Sequence, residues 1–583
     1  MKPTKRMLVL YLSVFVLLSV ILILPNPFTD VTFPYTDGIL MFDGYTRVNF
    51  ATDKNISIDE VNLLLWPGER EAFQILITQS EGLNEVMLTA YIDPEQSPAE
   101  QSAEGIADDR HSPIPSMPSV NLYLEHYIEI AQTNINRGQL GKYPDALIPW
   151  PLQQFRQLGG AKSATIYVEV DTDEYSQPGP YTGEVVINAG GRVSHIPFKI
   201  SILNWHIDSP PLPFAVGVSD SNFSRFLSSV KGEPTDPYYA SEIESIYANF
   251  ATQLYEARAF PTNFDTFFHP QVSRTDGNMS ISYNRLDSAF LTYLGKTSAK
   301  QFPFNIHDSL GSSGIIRGEL FSDTWKADAS AYITDVAGHF RSNGWMDEAF
   351  CYVLDEPNSL EDYQAAARLG LFLKDVAPDL PFLLTEQPYR LPKQSDWPDL
   401  TGIVDIWCPQ LAFYRAAECI AMQQVGDRIW IYPNQRDFKE FATEIASPTL
   451  DIGDEFLAPQ ILTAIIYRHN IDGLLYWDCV YWKHADPFEN ANPSGDSDRE
   501  FFGNGDGVLF YPGDVISHHL PGFPNINGPI PTLRWKNLVQ GLEDYRLFKY
   551  LNLDPDKISD SSILLSDPAK YKQFIDDLKR TIP

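Results

Sequence analysis

The stretch Phe350–Tyr363, FCYVLDEPNSLEDY, reads as a strand running into a helix. An apolar run from Phe350 ends on two adjacent acids, Asp355 and Glu356. Pro357 has no amide to donate and restricts the residue before it to extended backbone, so the strand is expected to stop with Glu356 extended. Ser359, followed three residues later by Asp362, has the form of a capping box that opens the next helix. Neighbouring side chains on a strand point to opposite faces, so the two acids can share a pocket only where the pleat relaxes at the strand end. On these residues alone, a solvated or salt-bridged strand end and a catalytic pair stand level.

The same rhythm recurs on either side. After a proline-rich joint, HIDSPPLP at His206–Pro213, short apolar runs alternate with helix-length segments: FAVGVS, PTNFDTF, FPFNIHD, FCYVLDE, PFLLTEQ, VDIWCPQ, RIWIYPN and DGLLYWD. Eight β-then-α units fit a (β/α)8 TIM-type barrel over residues 209–552 better than an open doubly wound sheet, whose Gly-rich first turn is missing. Asp355 and Glu356 then fall at the carboxyl end of the fourth strand, on the rim where barrel enzymes build their sites. The last barrel helix is expected at Pro531–Leu551, with an accessory helix in residues 553–583.

Upstream, residues 31–208 carry runs such as REAFQILITQ, SATIYVEVDT and YTGEVVINA, separated by Gly, Pro and acidic turns. This spacing predicts an antiparallel β-sandwich. The polar, proline-rich segment Asp93–Ser119 between them reads as a long exposed loop. Residues 1–30 place Lys2, Lys5 and Arg6 before an uncharged, mostly apolar run from Met7 to Leu24, which reads as a membrane anchor or, if cleaved, a signal segment. By the positive-inside tendency, the chain beyond about Asp30 is expected to be extracytoplasmic, with the membrane met only through that segment.

Forty-three basic against seventy-six acidic residues give a net charge of −33, which excludes nucleic acid as a partner. Cys351, Cys408, Cys419 and Cys479 show no C-x-x-C spacing, so disulfides and buried free thiols both remain open and a zinc site is not expected. There is no HExxH, P-loop or GxSxG, and the histidines do not cluster, so neither metal nor cofactor is expected. Glycoside cleavage, by contrast, needs only carboxylates and aromatic platforms. The expected rim offers Glu386, Trp407, Tyr432, Tyr476, Trp477, Asp478 and Trp482 as substrate-binding candidates beside Asp355 and Glu356. Strand seven ends on Asn434 and Gln435, where a retaining barrel glycosidase usually carries its nucleophile.

With these motifs in order, the sequence resembles glycoside hydrolase family 123 and the related domain-of-unknown-function 4091 proteins, whose characterised members are β-N-acetylgalactosaminidases. The resemblance runs through GKYPDALIPW, PGPYTGEVVI, LDEPNS, IDGLLYWDCVYW and GPIPTLRWKNLVQGLEDYRLFKYL, and departs at Gln540, where Arg is expected before GLEDY. It implies substrate-assisted retention, in which the sugar's 2-acetamido oxygen attacks the anomeric carbon. Glu356 would then be general acid and base, and Asp355 would orient the acetamido group. The expected substrate is a glycan with terminal β-linked N-acetylhexosamine, and a partly desolvated pocket would let one acid hold a proton near neutral pH. Two alternatives stay open: Glu386 or Asp478 as a covalent nucleophile on another sugar, and a non-catalytic glycan-binding protein.

Overall fold

The computed structural model describes residues 37–49, 54–94, 116–133, 138–218, 249–254, 257–262, 270–289, 302–303, 316–433, 448–482, 486–492, 501, 503–559 and 567–582. Eight strands precede the proline-rich joint: β1 (Gly38–Asp43), β2 (Val61–Leu65), β3 (Arg70–Pro94), β4 (Ser119–Ile130), β5 (Gly141–Pro149), β6 (Phe155–Asp171), β7 (Gly179–Ala189) and β8 (Arg192–Ile202). They join one sheet in the order β2-β8-β7-β3-β6-β4-β5, with β1 on β3. Every pair is antiparallel except β2 with β8, which is parallel.

The expected sandwich of separate sheets is therefore a single curled sheet, and β3 shows why. Its first half pairs with β6 and its second with β7, across register shifts that flank Gly82. Gly82 has φ +88, and a Cβ there would lie 2.6 Å from the Gly160 carbonyl oxygen, so only glycine fits the bend. Phe198 lies opposite Gly183, which lies opposite Ile92. Ile92 is far along β3 from Phe73; at about 3.3 Å per residue, a straight strand would hold them tens of ångströms apart. The rings of Phe73 and Phe198 nevertheless sit 5.3 Å apart, so the strand folds back over itself.

Beyond the joint come β9 (Phe214–Gly217), β10 (Phe260–Thr262), a hairpin of β11 (Gln271–Thr275) and β12 (Asn278–Ser282), then β13 (Phe302–Pro303), β14 (Ala349–Tyr352), β15 (Phe382–Leu384), β16 (Ile406–Trp407), β17 (Arg428–Ile431) and β18 (Gly473–Tyr476). Apart from the hairpin, these form one all-parallel sheet in the order β10-β9-β18-β17-β16-β15-β14-β13. The eight strands are those read from the sequence. The edge strands β10 and β13 approach each other, but among the described residues no ladder joins them. Alternation gives the curled sheet an inner cluster of Ala215, Phe350, Leu383, Ile406, Cys408, Trp430, Tyr432 and Leu475, with Tyr352 against it.

The helix Leu533–Tyr550, expected as the last outer helix of a barrel, is buried on every side from Leu533 to Phe548. It packs on the helix Ala458–Arg468, where a Cβ on Gly541 would lie 2.7 Å from the Gln460 carbonyl oxygen. Its charged residues reach the N-terminal sheet: Arg534 meets Asp145 at 2.8 Å and Lys536 meets Glu169 at 2.9 Å. Gln540, the departure from the family pattern, donates to the Tyr45 hydroxyl at 3.3 Å, so it belongs to this junction. The helix Pro568–Arg580 docks on the same sheet through Lys579, fully buried between Glu69 at 2.6 Å and Glu71 at 2.7 Å.

All four cysteines are free and buried. Among the described residues no helix is long and apolar enough to cross a membrane, and the segment 1–30 lies outside them. The loop expected at Asp93–Ser119 falls largely on residues 95–115, also outside them.

Candidate active site

Strand β14 ends at Tyr352, and Asp355 and Glu356 follow at the carboxyl edge of the parallel sheet. The capping box forms as read: the Asp362 amide donates to Ser359 Oγ at 3.1 Å and the Ser359 amide to Asp362 Oδ2 at 2.9 Å, starting the helix Leu360–Val376. Glu356 departs from the expected extended backbone. It has φ +40, a left-handed conformation that costs an ordinary L-residue about 1–2 kcal/mol. Two contacts hold it there: the Glu356 amide donates to Thr385 Oγ1 at 2.7 Å, and Asn358 Nδ2 donates to the Glu356 carbonyl at 2.6 Å. The reversed φ breaks the alternation of the strand. It brings the second acid to the side already occupied by the first.

Both carboxylates consequently bind residues of the inner face. Asp355 Oδ1 accepts from the Tyr352 hydroxyl at 2.7 Å and from Thr385 Oγ1 at 3.0 Å. Glu356 Oε1 accepts from Gln410 Nε2 at 3.1 Å and from the Tyr432 hydroxyl. Thr385 thus touches both acids, donating to one side chain and accepting the backbone amide of the other. Burial, and then the charge of the neighbouring carboxylate, push both phenols well above their ordinary range, so Tyr352 and Tyr432 remain protonated donors. Because both described donors to Glu356 converge on Oε1, Oε2 is the oxygen placed to exchange a proton. The acids themselves are solvent-exposed, unlike the partly desolvated pair expected.

Of the residues singled out in the sequence, the structure brings together Asp355, Glu356 and Tyr432. Trp477 stands on the same edge after β18, 39% exposed, its indole N–H donating to Asp506 Oδ1 at 2.9 Å and its ring 4.9 Å from that of Tyr481. The other candidates turn elsewhere. Glu386 is one residue out of phase with Thr385; its carboxylate accepts from the Gln387 amide at 3.0 Å and pairs with Tyr363, and burial lifts it to about 7. Trp407 donates to Asp427 at 3.0 Å, Trp482 donates to the Phe510 carbonyl at 3.0 Å, and buried Tyr476 receives the Gly507 amide at 2.9 Å. Asp478 accepts the Val480 amide at 2.8 Å and closes a local turn. Asn434 and Gln435 lie outside the described residues.

Sequence reading missed Tyr352, Thr385 and Gln410. Counting by twos from inward Phe350, Leu383 and Ile406 reaches each of them, so strand parity was the available signal. Two cavities lie away from the acids: one of about 120 Å³ beside Tyr389 and Trp407, and one of about 750 Å³ at the junction with the N-terminal sheet. The chemistry follows the converging carboxylates rather than cavity size, since there two acids and fixed donors meet at a strand end. Among the described residues no group of three or more His, Cys, Asp or Glu is placed to hold a metal.

Residues 297–551 match the family model for the glycoside hydrolase 123 catalytic domain. The structure is similar to that of a family 123 glycoside hydrolase from Clostridium perfringens, studied for the details of glycolipid glycan hydrolysis, at 14% identity and TM-score 0.61 over 94% of this chain and 99% of that one. A β-D-glucuronidase from Dictyoglomus thermophilum is 10% identical at TM-score 0.28, over 83% of this chain and 67% of that one, too distant to bear on the argument. No curated protein matches the sequence. The paired acids lie inside the matched segment, and the protein is a glycoside hydrolase whose residues 297–551 are similar to the family 123 catalytic domain.

Proposed function

We propose that the protein is a retaining exo-glycosidase that removes terminal β-linked N-acetylhexosamine, with N-acetylgalactosamine as the sugar, from a glycan such as that of a glycolipid. The carrying observation is the left-handed Glu356, which sets two carboxylates side by side on fixed donors at the edge of a parallel sheet. In the first step Glu356 passes its proton to the glycosidic oxygen as the bond to the anomeric carbon breaks. The substrate's acetamido oxygen attacks that carbon and closes an oxazolinium-like ring, while Asp355 accepts the acetamido N–H. Glu356, now a carboxylate, then takes a proton from water, whose oxygen opens the ring with net retention.

The turned-away carboxylates of Glu386 and Asp478 favour this route over a covalent nucleophile. We place the reaction on a (β/α)8 barrel beside the curled N-terminal sheet, in a protein held outside the cytoplasm by residues 1–30. Glu356→Gln and Asp355→Asn should each lower kcat on an aryl β-N-acetylgalactosaminide by roughly 10²- to 10⁴-fold with the fold intact. A thiazoline analogue of the cyclised intermediate should inhibit. Unchanged turnover in either variant overturns the role assigned to that acid, and preference for the paired N-acetylglucosaminide overturns the choice of sugar.

A further inference from the structure

The 750 Å³ cavity lies at the opposite pole from the acids. Pro211 and Leu212 lead into β9, and Ala257 and Arg258 into β10, so these wall residues stand at the amino ends of parallel strands. Asp355 and Glu356 follow the carboxyl end of β14, so the thickness of the sheet separates the two places. The floor is one face of the helix Leu533–Tyr550, with Val539, Leu542, Glu543 and Arg546 at helical spacing. The remaining wall comes from the N-terminal sheet. The volume lies within the ordinary range for ligand sites, and junctions between folded units are where such sites concentrate.

Most of the charged side chains in the lining are matched to one another. Arg70 pairs with Asp171 at 3.2 Å and Glu543 at 3.4 Å, and Arg258 with Glu174 at 3.5 Å. Planar donors and acceptors held in this way carry little net charge, yet offer forked hydrogen bonds to adjacent hydroxyls. Two half-exposed side chains, Tyr175 at 51% and Met117 at 49%, add apolar faces for sugar C–H groups. Arg546 adds a further donor. Arg546 is 7% exposed and gives one N–H to the Ile207 carbonyl at 2.8 Å, while its buried Nε–H finds no acceptor among the described residues. Burial, with Arg258 nearby, pulls this guanidinium down to about 10, as expected of a cation short of partners.

We propose that this cavity is a second, non-catalytic site that binds a neutral oligosaccharide segment between the N-terminal sheet and the helix Leu533–Tyr550. Paired charges exclude a strongly anionic ligand, matched donors and acceptors suit hydroxyls, and the volume exceeds a single sugar ring. The site does not depend on the reaction at Asp355 and Glu356, and binding there can be read without turnover.

The test titrates the full chain with lactose, cellobiose and maltotriose by calorimetry, with glucuronate as the acidic control, and repeats each titration on Tyr175→Ala and Ser119→Trp. Tyr175 and Ser119 are both exposed, so the first variant removes a stacking face and the second fills the cavity without disturbing a buried group. At least one neutral saccharide should bind the unaltered chain, with Kd weakened tenfold or more in both variants and the melting temperature unchanged. The proposal is overturned if no neutral saccharide binds, if binding survives both variants, or if glucuronate alone binds. Should one variant prove unstable, the other decides. Loss of hydrolysis in Glu356→Gln with saccharide binding retained separates this site from the catalytic one.

Discussion

Glu356 adopts a conformation that its own side chain disfavours, and strain of this kind persists only where the surroundings over-determine it. Here Thr385 holds the amide and Asn358 the carbonyl. Glycine adopts φ +40 without penalty, so Glu356→Gly should leave the melting temperature unchanged or raised, the relieved strain of about 1–2 kcal/mol being offset in part by greater unfolded-chain entropy. Turnover should disappear in the same variant. Thermal denaturation beside an aryl-glycoside assay checks both; a marked fall in melting temperature would mean that the bonds to Tyr432 and Gln410 hold the fold instead of serving the reaction. At this scale the acids were legible because two charges closing an apolar run are conspicuous. Their partners were not, because Thr385 and Gln410 are ordinary residues whose meaning comes from strand parity and from neighbours tens of residues away. Glu386 misled because it is the more reactive residue of its pair, yet stands one position out of phase.

Among the elements, the helix Leu533–Tyr550 shows where periodicity fails. A helix buried on one side announces itself as an apolar stripe; one buried on all sides among polar partners shows no stripe, and its charges look like a solvated face. The eight parallel strands, by contrast, were legible because each is a short apolar run with turn residues after it, whereas whether their sheet closes depends on ladders that no single strand encodes. The helix's charges instead tie it to the N-terminal sheet. Arg534 and Asp145 are almost fully buried, joined by two N–H···O bonds at 2.8 Å. Removing one partner strands the other charge, so Arg534→Met should destabilise by about 3–5 kcal/mol. Arg534→Met with Asp145→Leu should recover part of that, since the Leu450, Gly505 and Val508 carbonyls and the Tyr511 hydroxyl lose their partners as well. Denaturant midpoints for the two singles and the double check this; strict additivity would show that the pair is not coupled.

For the whole molecule, buried acids set the response to pH. Burial raises Glu386, Glu543 and Asp544 to about 7, and Asp451 and Asp506 to about 6, all from ordinary carboxyl values near 4. Across that window these five groups bind more protons in the folded chain than in the unfolded one, so their contribution to stability declines as pH rises from about 4 to about 7, while His126, lowered by burial to about 4, acts oppositely. Asp328, held at about 2 by Arg317 and Arg274, acts oppositely, but its contribution is lost only on acidifying below about 4. The net charge of −33 adds repulsion in the same direction as the buried acids, and salt tells the two apart. Melting temperature should be higher at pH 5 than at pH 8. In 0.5 M salt, the part due to surface repulsion should shrink while the part due to buried carboxyls remains. Asp544→Asn keeps a group that can still bond Gln460 and Tyr571 but cannot ionise, so it should flatten the salt-resistant slope. If that slope is the same in Asp544→Asn as in the unaltered chain, Asp544 ionises in the folded state as readily as in the unfolded one, and its burial has no bearing on the pH response.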